Sequence, residues 1–139
     1  MGPPLRKEPF TSGGFVKSVM EGTMNPIPSS HMPAVDVRDV ALAHLRAVQR
    51  PEAANKRFIL CNLTPSFLDY AAPLIAKYRP LGWPISENKA DADPNEYVCL
   101  FDNTASKEIL GIVYHDFNQS MLDMAEKMIE LGTIVKPSQ

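Results

Sequence analysis

Residues 35–51 read VDVRDVALAHLRAVQRP, and this stretch carries the strongest fold signal in the chain. Its first residues alternate as in a brief strand, with Val35 and Val37 on one face. Asp36 or Arg38 can begin a helix that runs to about residue 50, where Pro51 ends it. Apolar-leaning side chains then recur at helical spacing and predict one buried stripe: Val40, Ala41, His44, Leu45 and Val48.

Outward from this stretch, the pattern predicts four further helices, two more short strands and one solvated loop. The helices are expected to begin at Ser12, at Thr64 with Pro65, at Asp102 or Asn103, and at Asp116. The apolar runs 57–61 and 97–101 are typical of short strands, and the charged segment 86–96 is typical of a loop. So few strands cannot close a parallel sheet. The sequence therefore predicts an α/β chain, or α+β in isolation, that is mainly helical.

Composition excludes several classes of protein. The 139 residues are 45% hydrophobic and 22% charged, with a formal net charge of −2. That balance argues against a nucleic-acid surface and against a polybasic membrane anchor. No apolar run is long enough for a membrane helix, and the first ten residues do not resemble a signal peptide. Cys61 and Cys99 lie in apolar runs, which favours buried thiols and the cytoplasm but leaves their pairing open.

The sequence lacks the residue spacings that carry common chemistries. Its seven glycines never take the spacing of a dinucleotide fingerprint or a phosphate loop. Three histidines and two cysteines form no metal-binding pair of the HExxH or CxxC type. None of the tyrosines has a lysine four residues later, so a Tyr-x-x-x-Lys dyad is missing. We therefore expect no catalytic residue and no metal site.

A few polar residues allow both a structural and a functional interpretation. Asp36, Arg38 and Asp39 cluster where the predicted strand meets the helix, and an arginine there could bind a carboxylate or phosphate. A helix cap with an internal ion pair is the favoured interpretation, so all three are predicted to be structural. His44 is predicted to be a hydrogen-bonded core histidine. Three methionines are expected to fill the core rather than line a ligand groove: Met121, Met124 and Met128.

Six segments, in order along the chain, resemble the extended short-chain dehydrogenases/reductases of the NAD-dependent epimerase/dehydratase family. The similarity is to the branch that contains dihydroflavonol, cinnamoyl-CoA and ketone/methylglyoxal reductases. Each segment alone is moderately specific, but their common order and spacing make the resemblance strong. The segments are GPPL (2–5), VDVRDVALAH (35–44), PEAANKRFIL (51–60), SFLDYA (66–71), DNTASKEILGI (102–112) and SMLDMAEKMIELG (120–132).

The resemblance implies a single C-terminal substrate-binding portion over residues 1–139, without the nucleotide-binding Rossmann domain and without a complete Rossmann sheet. In the family the glycine fingerprint and the Ser/Tyr/Lys group lie upstream of G-P-x-L. NADP(H) or NAD(H) would serve the complete enzyme, whereas this chain alone is expected to bind neither. By the same resemblance, Pro4 and Leu5 would lie near the nicotinamide, and the substrate pocket would be bordered by Phe15, Met32, Pro33 and Ala34.

Two functions remain open at this point. The first is a fragment or truncated paralogue of a carbonyl reductase, inert alone, which meets a small carbonyl substrate only in a complete enzyme. The second is a non-catalytic interaction module that self-associates, or packs on a Rossmann-domain partner, through the face that once met that domain. A small-ligand binder is a weaker third possibility, because no convergent polar pocket residues favour it.

Overall fold

Five α-helices organise the residues that the computed structural model describes, which are 1–8 and 10–136. Short 3-10 turns at Pro51–Ala53 and Arg79–Leu81 follow the second and third helices. All five helices expected from the sequence are present, so the mainly helical architecture is confirmed. They are α1 (Thr11–Met20), α2 (Val37–Gln49), α3 (Phe67–Tyr78), α4 (Thr104–Glu108) and α5 (Phe117–Glu130).

The main core lies between α1, α3 and α5. Helix α3 contributes Tyr70 and Leu74, both fully buried, and α1 contributes Val16. The three methionines predicted to fill the core do so, since each is at most 1% exposed: Met121, Met124 and Met128. The flexible thioether side chains of α5 therefore fill the space between the two other helices.

At the start of a helix, nearby residues can compete for the N-cap position. The Asp116 carboxylate accepts from the Gln119 amide at 2.8 Å, as expected for the N-cap of α5. Helix α3 does not begin at Thr64, because Ser66 and Asp69 form a reciprocal capping box three residues apart. That box satisfies two backbone donors, whereas a proline at the first position only removes one. Helix α1 begins at Thr11 rather than at Ser12.

The predicted stripe of α2 is not buried, and this expectation was wrong. Leu45 is 54% exposed and Val48 is 88% exposed, while Asp39 and Ala43 are the buried residues of the helix. His44 is also exposed and donates from its ring to the Val40 carbonyl at 2.7 Å, so it is not a core histidine. The inner face of α2 packs on a second, smaller cluster that contains Ala53, Leu110 and Ile112.

The short strands expected at 35–37, 57–61 and 97–101 do not form. Among the described residues, extended segments pair only through three isolated bridges: Ile27 with Lys89, His31 with Ser66, and Ala34 with Leu63. A β-strand requires a neighbouring segment that exchanges backbone hydrogen bonds with it along its length. The backbone of residues 57–60 meets no such neighbour within the described ranges, so the segment is extended without belonging to a sheet.

Arg46 of α2 and Arg50, which directly follows α2, hold the segment that comes after α4. The Arg46 guanidinium donates to the carbonyls of Leu110, at 3.0 Å, and of Gly111. Arg50 donates to the carbonyl of Ile109 at 2.5 Å. Carbonyls at a helix C-terminus lack partners within the helix, so these two side chains satisfy oxygens that would otherwise need water.

Candidate functional site

Four aromatic side chains meet where α1, α3 and α5 converge, and we call them the aromatic cluster: Phe15, Phe67, Tyr70 and Phe117. The Phe15 and Phe67 rings lie 5.0 Å apart between centroids. Tyr70 meets Phe15 and Phe117 edge-on, at 5.6 and 4.9 Å, which is the favoured geometry for aromatic pairs. Tyr70 is fully buried, while the three phenylalanines are half-buried and keep part of their surface outward.

Tyr70 connects the cluster to the loop that precedes α2. Its hydroxyl donates to the carbonyls of Met32, at 3.1 Å, and Pro33, at 3.3 Å. Burial raises the pKa of Tyr70, so the hydroxyl keeps its proton for these bonds. Ala34, at the end of this loop, is buried and donates from its amide to Leu63 at 2.9 Å. The structure thus brings Phe15 together with the Met32–Ala34 loop through a single buried side chain.

Tyr70 was missed by the sequence reasoning, although a signal for it existed. It lies three residues after Phe67 on the buried face of α3, and a buried tyrosine requires a partner for its hydroxyl. The available partners of such a group are carbonyls of a nearby loop. That requirement could have singled out Tyr70 as the link between helix and loop.

Pro4 and Leu5 do not join this site. Leu5 is 96% exposed and Pro4 is half-buried, and neither lines the three larger grooves, of about 640, 600 and 470 Å³. One exposed leucine and one half-buried proline do not enclose a nicotinamide. Pro4 and Leu5 therefore do not by themselves form a site for a dinucleotide cofactor.

The acidic and basic residues at the start of α2 contact one another and α5. The Asp36 carboxylate accepts from the Arg38 amide at 2.8 Å and from its guanidinium at 2.9 and 2.7 Å. Burial alone would raise the pKa of Asp36, but the hydrogen bonds from Arg38 outweigh it and lower that pKa to about 2. Arg38 also pairs with Asp123 at 2.8 Å, which fixes the start of α2 against α5.

Asp39 connects α2 to the residue that precedes the N-cap of α5. It is 1% exposed, and its carboxylate accepts from the His115 amide at 3.0 Å and meets the ring Nδ1 at 2.6 Å. His115 directly precedes the Asp116 cap of α5. Buried carboxylates need such partners, and here both partners belong to one residue. The charged groups of Asp36, Arg38 and Asp39 are thus each paired with a neighbouring side chain.

Metal ligands and membrane helices are not found among the described residues. No group of three or more histidine, cysteine, aspartate or glutamate side chains could hold a metal ion there. None of the described helices combines the length and the apolar character needed to cross a membrane. The aromatic cluster and its loop offer apolar surface, and their one polar side-chain group, the Tyr70 hydroxyl, is already bonded. This arrangement presents partly exposed aromatic surface beside the loop, and within these residues no group is placed to transfer a proton.

The chain is similar to reductases along most of its length. It is 32% identical over 96 residues to the ketoreductase azaE of Aspergillus niger, a match that covers 69% of this chain. It is 28% identical over 129 residues to the NADPH-dependent methylglyoxal reductase GRE2 of Saccharomyces cerevisiae. The crystal structure of Gre2 from Candida albicans in complex with NADPH superposes on 94% of this chain, with a TM-score of 0.72 and 27% identity. The chain is a homologue of the extended short-chain reductases.

The chain corresponds to a portion of each of these relatives. It spans 28% of the Aspergillus ketoreductase, 38% of the yeast reductase and 41% of the Candida structure, so less than half of each. That coverage agrees with a match to a C-terminal portion and with a partial domain of a Rossmann-type fold. No family model matches the chain.

Proposed function

We propose that this chain contributes the substrate-facing portion of an NAD(P)H-dependent carbonyl reductase. The observation that carries the proposal is the junction at Tyr70, which holds Phe15 and the Met32–Ala34 loop in one place. These are the residues that the family resemblance assigns to the border of the substrate pocket. The 139 residues are one substrate-binding portion in this proposal, and nucleotide binding would belong to another portion of the complete enzyme.

The side chains at the junction favour an apolar carbonyl substrate. The aromatic cluster and the loop carry no charged side chain, and the rings of Phe15 and Phe67 keep exposed surface. Ligand sites are lined mainly by apolar and aromatic groups, and a few polar groups set the orientation. An aldehyde or ketone with an aromatic or branched apolar body therefore fits this surface better than a charged metabolite.

The chain alone is proposed to be catalytically inert. Its four tyrosines lack the partner lysine, and Pro4 and Leu5 do not enclose a cofactor. NADP(H) or NAD(H) would be held by the complementary nucleotide-binding portion. We also place the protein in the cytoplasm, because Cys61 and Cys99 are both free thiols, as is usual in a reducing compartment.

Purified chain mixed with NADPH and a panel of aldehydes and ketones is expected to consume no NADPH above the protein-free blank. The same chain, labelled with nitrogen-15, is expected to show amide shifts at Phe15, Met32 and Ala34 when titrated with an apolar aromatic aldehyde. Phe15→Ala should weaken this binding by about tenfold, since it removes one ring of the lining. NADPH absorbance and two-dimensional NMR spectra provide the two measurements.

Phe58→Ala is the matched control for the binding measurement. Phe58 is also a half-buried phenylalanine, but it packs on the second cluster with Ala43 and Leu110. Its substitution should leave aldehyde binding unchanged. Turnover by the chain alone would refute the proposed inertness, and shifts confined to residues outside the aromatic cluster and its loop would refute the proposed substrate surface.

A second candidate function is favoured by the outer face of α2. This face carries an apolar-leaning stripe with helical spacing, and its largest side chains are half exposed or more: Val37 at 50%, Leu45 at 54% and Val48 at 88%. We propose that the isolated chain self-associates by placing this face against the same face of a second copy. Isologous packing of two equal stripes is the simplest way to cover such a surface. In a complete reductase, a Rossmann-domain partner would compete for it.

Leu45→Glu combined with Val48→Glu is expected to convert self-associating chain into monomer at high micromolar concentration. The two charges would have to be buried without partners in the paired face, which is unfavourable. Multi-angle light scattering measures the mass. Val113→Glu is the control, because Val113 is 85% exposed but lies outside α2. A wild-type chain that is monomeric at that concentration would contradict the second candidate.

A further inference from the structure

The segment from Ser86 to Glu96 runs along residues 25–31, and we call it the strap. Its side chains are mostly exposed, as expected for a charged loop, but it is attached at four successive points. The attachments are Ser86 and Asn88 to the Asn25 side chain (3.0 and 2.9 Å), Asn88 and Ala90 to the Ile27 backbone (2.8 and 2.9 Å), the Asp91 carbonyl to Ser29 (2.9 Å), and Glu96 to His31.

The attached residues recur at every second position, from Asn25 to His31. A period of two is that of an extended chain, in which alternate residues face the same side. The strap therefore lies along one side of this segment and holds it over its whole length. The last attachment, at His31, directly precedes Met32, the first residue of the loop that Tyr70 holds.

Glu96 makes this last attachment with both carboxylate oxygens. One accepts from the His31 amide at 2.5 Å, and the other meets the His31 ring Nδ1 at 3.0 Å. These two hydrogen bonds favour the ionised carboxylate and lower the pKa of Glu96. Both the backbone and the ring of His31 are therefore oriented by a single side chain.

The Met32–Ala34 loop is held from its other side by residues 62–65. The Met32 amide donates to Pro65 at 3.0 Å, and Ala34 exchanges backbone hydrogen bonds with this segment at 2.9 and 2.7 Å. The loop is thus bonded directly to residues 62–65, and the strap holds the chain at His31, one residue before the loop. A change in the strap would alter where the loop sits relative to Phe15 and Phe67.

We propose that Glu96 is a positioning residue that, through His31, sets the place of the Met32–Ala34 loop and thereby the shape of the substrate surface. That this surface binds a substrate rests on the proposed function. That Glu96 positions the loop does not depend on it. Sequence differences in the strap would then tune which carbonyl compounds fit, without any strap residue touching the aromatic cluster.

Glu96→Ala tests this inference in the full chain by hydrogen–deuterium exchange and by aldehyde binding. The amides of Met32 and Ala34 are expected to exchange at least several-fold faster, and the dissociation constant for the aromatic aldehyde is expected to rise about tenfold. The melting temperature should stay within error, since the contact is at the surface. Glu96→Gln should restore both properties, because its amide can still accept from the His31 amide and donate to the ring.

Asp91→Ala is the matched control, since it removes a strap carboxylate that makes no side-chain hydrogen bond among the described residues. It should change neither exchange nor binding. Unchanged exchange at Met32 and Ala34 in Glu96→Ala would overturn the positioning role, and so would a large fall in melting temperature. Wild-type chain that binds no aldehyde would instead refute the proposed substrate surface, while the exchange data would still decide the role of Glu96.

Discussion

Replacing Asp36 by alanine is expected to lower the free energy of unfolding by about 3 kcal/mol. The substitution removes the N-cap of α2, whose loss costs about 1 kcal/mol. It also removes the carboxylate whose pKa falls from its usual 3.8 to about 2 in the folded chain. A shift of nearly two units corresponds to about 2 kcal/mol, since each unit is worth about 1.4 kcal/mol. Asp36 is only 3% exposed, so solvent screens this interaction weakly.

Asp36→Asn separates the two contributions. Asparagine caps helices as well as aspartate does, so this variant should lose only the part due to charge, about 2 kcal/mol at neutral pH. A carboxyl group with a lowered folded pKa stabilises the fold above pH 3.8 and ceases to do so as the pH falls through about 2. The difference between wild type and Asp36→Asn should therefore disappear in that window.

Urea denaturation at neutral and acidic pH measures both Asp36 variants. Asp91→Asn is the control, because this carboxylate is exposed and has no side-chain hydrogen bond within the described ranges. An Asp36→Ala variant as stable as the wild type at neutral pH would show that the pair with Arg38 and the cap contribute nothing net.

Gly22→Ala is expected to destabilise the chain by about 3 kcal/mol or more. Gly22 has a φ of +73°, where a side chain is unfavourable by about 1 kcal/mol. A Cβ atom there would clash with the backbone carbonyl oxygen of Pro84. Backbone cannot rotate aside as a side chain can, so the segment before the strap would have to move, at a cost typical of overpacking.

Gly14→Ala is the matched control and should have the opposite sign. Gly14 lies inside α1, and a Cβ built on it meets no atom within 4 Å. Alanine in a helix interior is more stable than glycine by about 0.5–1 kcal/mol. Thermal and urea unfolding of the two variants give the comparison. Equal stabilities for Gly22→Ala and Gly14→Ala would mean that residues 22 and 84 do not approach as described.

Helices and their caps were the predictable part of this fold, because their signals are local. The periodic side chains of α5 lie within a few turns of one another, and its Asp116 cap needs only the amide three residues later. Burial of the methionines followed from the same periodicity. The choice of Ser66 over Thr64 as the cap of α3 required weighing two nearby signals, and a capping box satisfies more backbone groups.

Long-range pairing was the unpredictable part. An apolar run such as 57–61 shows that a segment can be a strand, but not whether another segment is available to pair with it. The stripe with Leu45 and Val48 likewise identifies a face of α2 without identifying what covers it. In both cases the pattern shows that a segment or face can pack against a partner. Whether a partner is present depends on residues that are distant in the sequence.

The candidate site likewise has a part that the sequence predicts and a part that it does not. Phe15 and the Met32–Ala34 loop could be named from resemblance to a family, since that resemblance follows the order of segments. Their contact through Tyr70 joins residues almost forty positions apart, and Glu96 reaches His31 across 65 positions. Such contacts depend on how the helices pack, so no spacing in the sequence reports them.

The arginine contacts of α2 imply an order of events during folding. A helix of five residues, such as α4, is not stable alone in water. The conformational entropy lost in forming the first turn exceeds the free energy gained from its few hydrogen bonds. The carbonyls of Ile109 and Leu110, directly after α4, accept hydrogen bonds from Arg50 and Arg46, about sixty residues earlier in the chain. We therefore expect α4 to become stable only once these contacts with Arg46 and Arg50 have formed.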